Sequence, residues 1–116
     1  MNIIELTDEE ILAHANPMWD HLVKQSNDKN YGEFTQNFSH DMKMAANHVE
    51  IGKQFARSEL TQNLAEERDY LGMIRRGKHV TILFRQTNKK MEGEWLGRLV
   101  LGYEEDNVRI FGATIF

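Results

Sequence analysis

Three stretches near the C-terminus decide the fold: VTILFRQ at 80–86, EWLGRLVLGYEE at 94–105 and NVRIFGATIF at 107–116. In the first, Val80, Ile82 and Phe84 alternate with Thr81, Leu83 and Arg85. In the second, Trp95, Gly97, Leu99, Leu101 and Tyr103 fall on one face, and Leu96, Arg98, Val100 and Gly102 on the other. A period of two is the mark of a strand. The third stretch is apolar on both faces, so the alternation does not say which side points inward. Thr87-Asn88-Lys89-Lys90 and Glu104-Glu105-Asp106-Asn107 are short polar connections, which join antiparallel neighbours. Residues 70–75, followed by Gly77 in a turn, supply a further strand. Gly97, Gly102 and Gly112 sit inside strands, where glycine marks bulges and bends. The sheet is therefore expected to curl around a helix and leave a cone-shaped interior.

Upstream the period changes to that of helices. Thr7 begins a capping box with Glu10, and the acidic run Asp8-Glu9-Glu10 suits the positive end of a helix. Ile11, Leu12, Ala15, Met18, Trp19, Leu22 and Val23 then form one apolar face to about Gln25. Pro17 lacks the amide that would bond the Ala13 carbonyl, so a kinked or two-piece helix is expected. Asn27-Asp28-Lys29-Asn30 reads as a turn. A short second helix follows, with Tyr31, Phe34 and Phe38 on one side, ended by Ser39-His40-Asp41. Residues 42–46 read as an edge strand or a loop. A third helix is expected from about Asn47 to Glu67, with Ile51, Phe55, Leu60 and Leu64 on one face. Helices followed by a run of strands give an α+β class, three N-terminal helices on a curved antiparallel sheet.

The chain has 116 residues, the length of one domain, taken as 1–116. Hydrophobic residues make up 41% and charged residues 28%, a globular balance. The formal charge of −4 argues against nucleic acid, which demands concentrated Lys and Arg. The charge is uneven: residues 1–69 carry 13 acidic and 6 basic side chains, residues 70–116 carry 5 and 8. With no cysteine, thiol catalysis, disulfides and Cys-ligated zinc are excluded. The acidic N-terminus lacks the pattern of a signal peptide, and no apolar run reaches the roughly 20 residues of a membrane span. A cytoplasmic protein that does not enter membranes is the expectation.

Element order and spacing together resemble the nuclear transport factor 2-like superfamily, which includes ketosteroid isomerase and polyketide-cyclase-like members. The likeness rests on Trp19 late in the first helix, on Tyr31-x-x-Phe34-x-x-x-Phe38, on a third helix leading into a Leu71-Gly72 strand start, and on the three closing strands. The resemblance implies a cone-shaped α+β barrel with a pocket between helices and sheet, and a homodimer built through the sheet's outer face. It does not carry a function, since members include isomerases, cyclases, dehydratases and transport adaptors.

The pocket candidates are Trp19, Tyr70, His79, Arg85, Trp95, Arg98 and Tyr103. The arginines sit among apolar strand neighbours; facing a cavity, they would be fixed cations for an anion. The tryptophans could wall an apolar cavity, though large aromatics are by default core. His14, His21, His40 and His48 show no metal-ligand spacing, no GxSxG accompanies the three serines, and the glycines form no phosphate cradle. No metal and no cofactor are expected. The leading expectation is a homodimeric domain binding a small apolar or anionic molecule. One alternative is a cofactor-free isomerase, cyclase or dehydratase, for which Asp41 or Asp69 would be the carboxylate to inspect. Another is a protein-interaction module with a filled interior.

Overall fold

The computed structural model describes residues 2–45 and 59–116. A 3-10 turn at Ile3–Glu5 precedes helix α1 (Asp8–Asn27), the single turn α2 (Tyr31–Phe34), α3 (His40–Ala45) and α4 (Glu59–Gln62). Four strands complete the chain: β1 (Leu64–Arg76), β2 (His79–Asn88), β3 (Trp95–Glu104) and β4 (Asn107–Ile115). They form an open antiparallel sheet in the order β1-β2-β3-β4. The α+β class follows from these elements.

Helix α1 starts where its capping box dictates. The Thr7 hydroxyl accepts from the Glu10 amide at 3.2 Å, and the Glu10 carboxylate accepts from the Thr7 amide at 3.1 Å. The restart at Asn16-Pro17 does not occur; α1 is one continuous helix with Pro17 inside it. Pro17 and Ala13 are both exposed, so the carbonyl left without a donor faces solvent rather than the core. Ile11, Ala15, Trp19, Leu22 and Val23 are buried as their spacing predicts.

Three boundaries differ from the sequence expectation. The helix beginning at Tyr31 stops at Phe34, and Phe38 instead forms a parallel bridge with Ile110 of β4. The Phe34 and Phe38 rings still meet edge-on, with centroids 5.6 Å apart. Residues 40–45 are helical rather than strand or loop: Ser39 accepts from Met42, and both Glu104 carboxylate oxygens accept from the His40 amide at 3.0 Å. Ile51 and Phe55 of the expected third helix lie outside the described residues. Its far end is corrected, for Leu64 opens β1. The cause is Asn27, at the end of α1, whose side chain donates to the Leu64 carbonyl and accepts from the Leu64 amide, both at 2.8 Å. That two-point clamp satisfies the strand's first residue as a neighbouring strand would.

The core lies between α1 and one face of the sheet. Val80, Ile82 and Phe84 of β2, Leu99 and Leu101 of β3 and Ile110 of β4 meet the α1 residues with Ile3, Phe38 and Leu64. The extra residue Phe111 in β4, between the pairs Val100–Gly112 and Leu101–Ile110, lets both Ile110 and Ala113 face inward.

Candidate functional site

The register sorts every strand side chain onto one of two faces, because directly paired residues share a face. Phe84 pairs with Gly97 and Tyr70, Ile82 with Leu99 and Met73, Val80 with Leu101 and Arg75. These residues, with Trp95 and Tyr103, make the inner face. His79, Thr81, Leu83 and Arg85 with Leu96, Arg98, Val100 and Gly102 make the outer face.

The inner face is filled at its centre by Trp19. Its ring lies 5.2 Å from Phe84 at a 35° tilt and occupies the space beside Gly97. A Cβ at residue 97 would come within 2.6 Å of Trp19 Cζ2, so only glycine admits the ring. Trp19 Nε1 donates to Gln86 Oε1 at 3.0 Å. Gln86 is fully buried and donates in turn to the carbonyls of Ala65 (2.6 Å) and Thr87 (3.0 Å). Each Gln86 polar atom is therefore satisfied, the condition for tolerating a buried amide. Arg68 packs its guanidinium 5.5 Å from the Phe84 centroid and bonds Asn16 and Asp20 of α1. It closes the inner face beside Trp19 rather than presenting a charge to a cavity.

The seven sequence candidates do not converge. Trp19 is core. Tyr70 is on the inner side of edge strand β1 and 43% exposed. Trp95 is half-buried at the end of β3, beside Gly93. Tyr103 is half-buried at the opposite end of β3. His79, Arg85 and Arg98 are on the outer face. His79 stacks edge-on against Phe111 at 4.7 Å and covers Gly102, where a Cβ would meet its Cδ2 at 2.8 Å. Arg85 is held by Asp69 at 3.3 Å and by Glu94 at 3.2 Å. Arg98 forms no ion pair among the described residues. Asp41 and Asp69 are both exposed, so neither is a carboxylate deep in a cavity.

Two further features escape sequence reasoning. One is a cleft of about 450 Å³ lined by Asn2, Ile3, Glu5, Lys78 and Tyr103, where the N-terminal 3-10 turn meets the β1–β2 hairpin. Asn2 Nδ2 donates to the Gly77 carbonyl at 3.3 Å and ties the two together. No local motif marks it, because its residues come from three distant parts of the chain. The other is the outer face itself. Ile74, Leu83, Leu96, Val100 and Phe111 lie on it together, with Phe116 at its corner, 67% exposed. The described helices pack on the inner face or along β4, and none lies over these residues.

Among the described residues no group of three or more His, Asp or Glu side chains is placed to hold a metal, and no helix is long and apolar enough to cross a membrane. Comparison with protein-family models, with curated proteins and with solved structures finds no match, so the chain's own side chains carry the functional argument.

Proposed function

We propose that this chain is a cytoplasmic, self-associating interaction domain of the nuclear transport factor 2-like kind, whose outer sheet face docks on the same face of a second copy. One observation carries the reading: Ile74, Leu83, Leu96, Val100, Phe111 and Phe116 gather on the outer face, between Thr81, Arg85 and Arg98, and no described helix covers them. Ile74 and Phe116 are exposed and Leu83, Leu96, Val100 and Phe111 are half-buried, and an apolar patch left open to this extent marks an interaction site. Arg85 is compensated within its own chain by Asp69 and Glu94, whereas Arg98, between Leu83 and Thr114, forms no ion pair among the described residues. A twofold pair therefore has to bring the apolar side chains together while leaving Arg98 at water or opposite an acidic group. Four strands at about 4.8 Å spacing and about 3.3 Å per residue offer roughly 500–600 Å² per copy. Two copies then bury about 1,000–1,200 Å², the lower bound of a specific interface.

Sedimentation velocity at micromolar protein tests this. A dimer that Val100→Glu converts to a folded monomer, with circular dichroism unchanged, is the expected result. A wild-type monomer at about 100 µM, or a dimer that survives both Val100→Glu and Phe111→Glu, overturns it.

A second reading, small-molecule binding, is favoured by the cleft at Asn2, Ile3, Glu5, Lys78 and Tyr103. Its size suits a small ligand, and Lys78 and Glu5 offer both signs of charge to an ion or zwitterion. Native mass spectrometry of freshly purified protein tests it. A mass excess that Tyr103→Ala removes supports the site, and a clean polypeptide mass counts against it.

A further inference from the structure

Strand β1 is an edge of the sheet: β2 lies on one side of it and, among the described residues, no strand lies on the other. It is the longest strand, at 13 residues, and it carries three of the large apolar side chains that remain exposed. These are Tyr70 at 43%, Leu71 at 47% and Ile74 at 53%. An open edge of this kind offers unpaired amides and carbonyls to another strand, and lone proteins guard such edges with charge and bulges. β1 has both, with register shifts between Leu64 and Arg68 and around Leu71. Arg68 and Asp69 are paired within the chain, with Asp20 and Arg85, and the charges that remain at the two ends of the strand are ordered by sign. Glu66 and Glu67 precede the apolar centre, and Arg75 and Arg76 follow it.

That order is self-complementary. In an antiparallel copy of β1 related by a twofold axis between Tyr70 and Leu71, Glu66 stands opposite Arg75 of the second copy. Glu67 then stands diagonal to Arg76 of the second copy, within reach of long side chains. A same-direction copy would instead set acid on acid and base on base. Arg75 is already bonded to Asp8 and to the Leu6 carbonyl, whereas Arg76 and Glu67 form no ion pair among the described residues. We propose that β1 pairs edge to edge with β1 of a second copy, joining two four-stranded sheets into one continuous sheet of eight. This interface uses the rim of the sheet and does not depend on the outer-face docking above.

The absence of native cysteine makes the geometry directly testable. Across an antiparallel pair, opposed Cα atoms are about 4.5–5.5 Å apart, inside the range a disulfide spans. Leu71→Cys stands next to the axis, so its thiol meets its own copy. Ile74→Cys is comparably exposed, but its copy lies about 20 Å away along the strand. Both are made in the Val100→Glu background, so that the outer face does not contribute. Under mild oxidation at micromolar protein, Leu71→Cys should form disulfide dimers about tenfold or more faster than Ile74→Cys, through effective concentration at the paired edge. Adding Arg76→Glu should remove that advantage, and adding Glu67→Arg to it should restore the advantage by swapping the signs. Equal rates at residues 71 and 74, or a charge swap that restores nothing, overturns the edge pairing. The sedimentation of Val100→Glu without introduced cysteines scores the outer-face reading separately.

Discussion

Gly97→Ala tests whether the inner face is filled. The added methyl would sit 2.6 Å from Trp19 Cζ2 and 2.9 Å from Cη2, far inside van der Waals contact. The ring must move, and it is 4% exposed with Phe84 behind it. Forced overpacking of a core costs about 1–3 kcal/mol. Displacing the ring also strains the 3.0 Å bond from Trp19 Nε1 to the buried side-chain carbonyl of Gln86. An orphaned buried acceptor adds about 1–3 kcal/mol. The expected loss is therefore about 2–6 kcal/mol, a large share of the roughly 5–15 kcal/mol of a typical domain. Urea unfolding followed by far-ultraviolet circular dichroism measures it without interference from Trp95. Trp19→Phe supplies the second arm: a smaller ring should accept the methyl added at residue 97, so the double variant should be less destabilised than the sum of the singles by about 1 kcal/mol or more. A Gly97→Ala variant within about 0.5 kcal/mol of wild type, or strict additivity, refutes the reasoning. Either result would mean that Trp19 is backed by free volume into which the ring swings. That outcome would also favour the small-molecule reading over the interaction reading.

Asn27→Ala should destabilise by about 2 kcal/mol in the same assay, because it strips both backbone groups of Leu64 of their partner and frees the start of β1. Backbone amide exchange at residues 64–68 should rise with it, and unchanged exchange there would remove the clamp argument. Thr7→Ala should cost about 1 kcal/mol through loss of the capping box. The Glu10 carboxyl is held below its ordinary value of 4.5, first by the bond from the Thr7 amide and then by the Thr7 hydroxyl. A depressed carboxyl contributes stability above its unfolded value and loses it as pH falls through the folded one. Glu10→Gln should therefore flatten the acid limb of the stability curve below pH 4.5 and leave the shape near neutrality unchanged; an identical acid limb would count against it.

The strands and the start of α1 were legible because short-range rules decide them. Val80, Ile82 and Phe84 share one face and Thr7–Glu10 is a cap in the structure as in the sequence. The end of α4 was not legible, since Leu64 continues an apolar helical spacing and is diverted only by Asn27, 37 residues earlier. The same limit hid Phe38, whose partner Ile110 lies on the last strand. For the site, alternation grouped the residues of β3 correctly, with Trp95, Gly97, Leu99, Leu101 and Tyr103 together, but could not say which group faced inward. The inward group was chosen by a long-range fit, the Trp19 ring against the missing side chain of Gly97. Gln86 has no sequence signal beyond its even number, which places it in the series of Val80, Ile82 and Phe84.

The ambiguity of the two faces has a physical content of its own. A sheet with one face on a core and one in water alternates cleanly between apolar and polar positions. Here Leu96, Val100 and Phe111 are as apolar as Leu99, Leu101 and Ile110, so the sequence describes a sheet sandwiched on both sides. Among the described residues one covering layer, α1 with its neighbours, packs on the sheet, and on the other face Ile74 is 53% and Phe116 67% exposed. The missing alternation and the uncovered face are thus one fact met at two levels. It also makes the two proposed contacts unequal. On the outer face Arg85 is already paired and Arg98 has no acidic counterpart placed to fix a register, whereas β1 has Glu66-Glu67 and Arg75-Arg76 but only Tyr70, Leu71 and Ile74 to bury. Apolar area governs how long a complex lasts, and ordered charge governs how it finds its orientation. Added salt should therefore slow the Leu71→Cys cross-link severalfold while leaving the outer-face dimer intact. A cross-linking rate indifferent to salt would mean that the sign order along β1 does not steer the pairing.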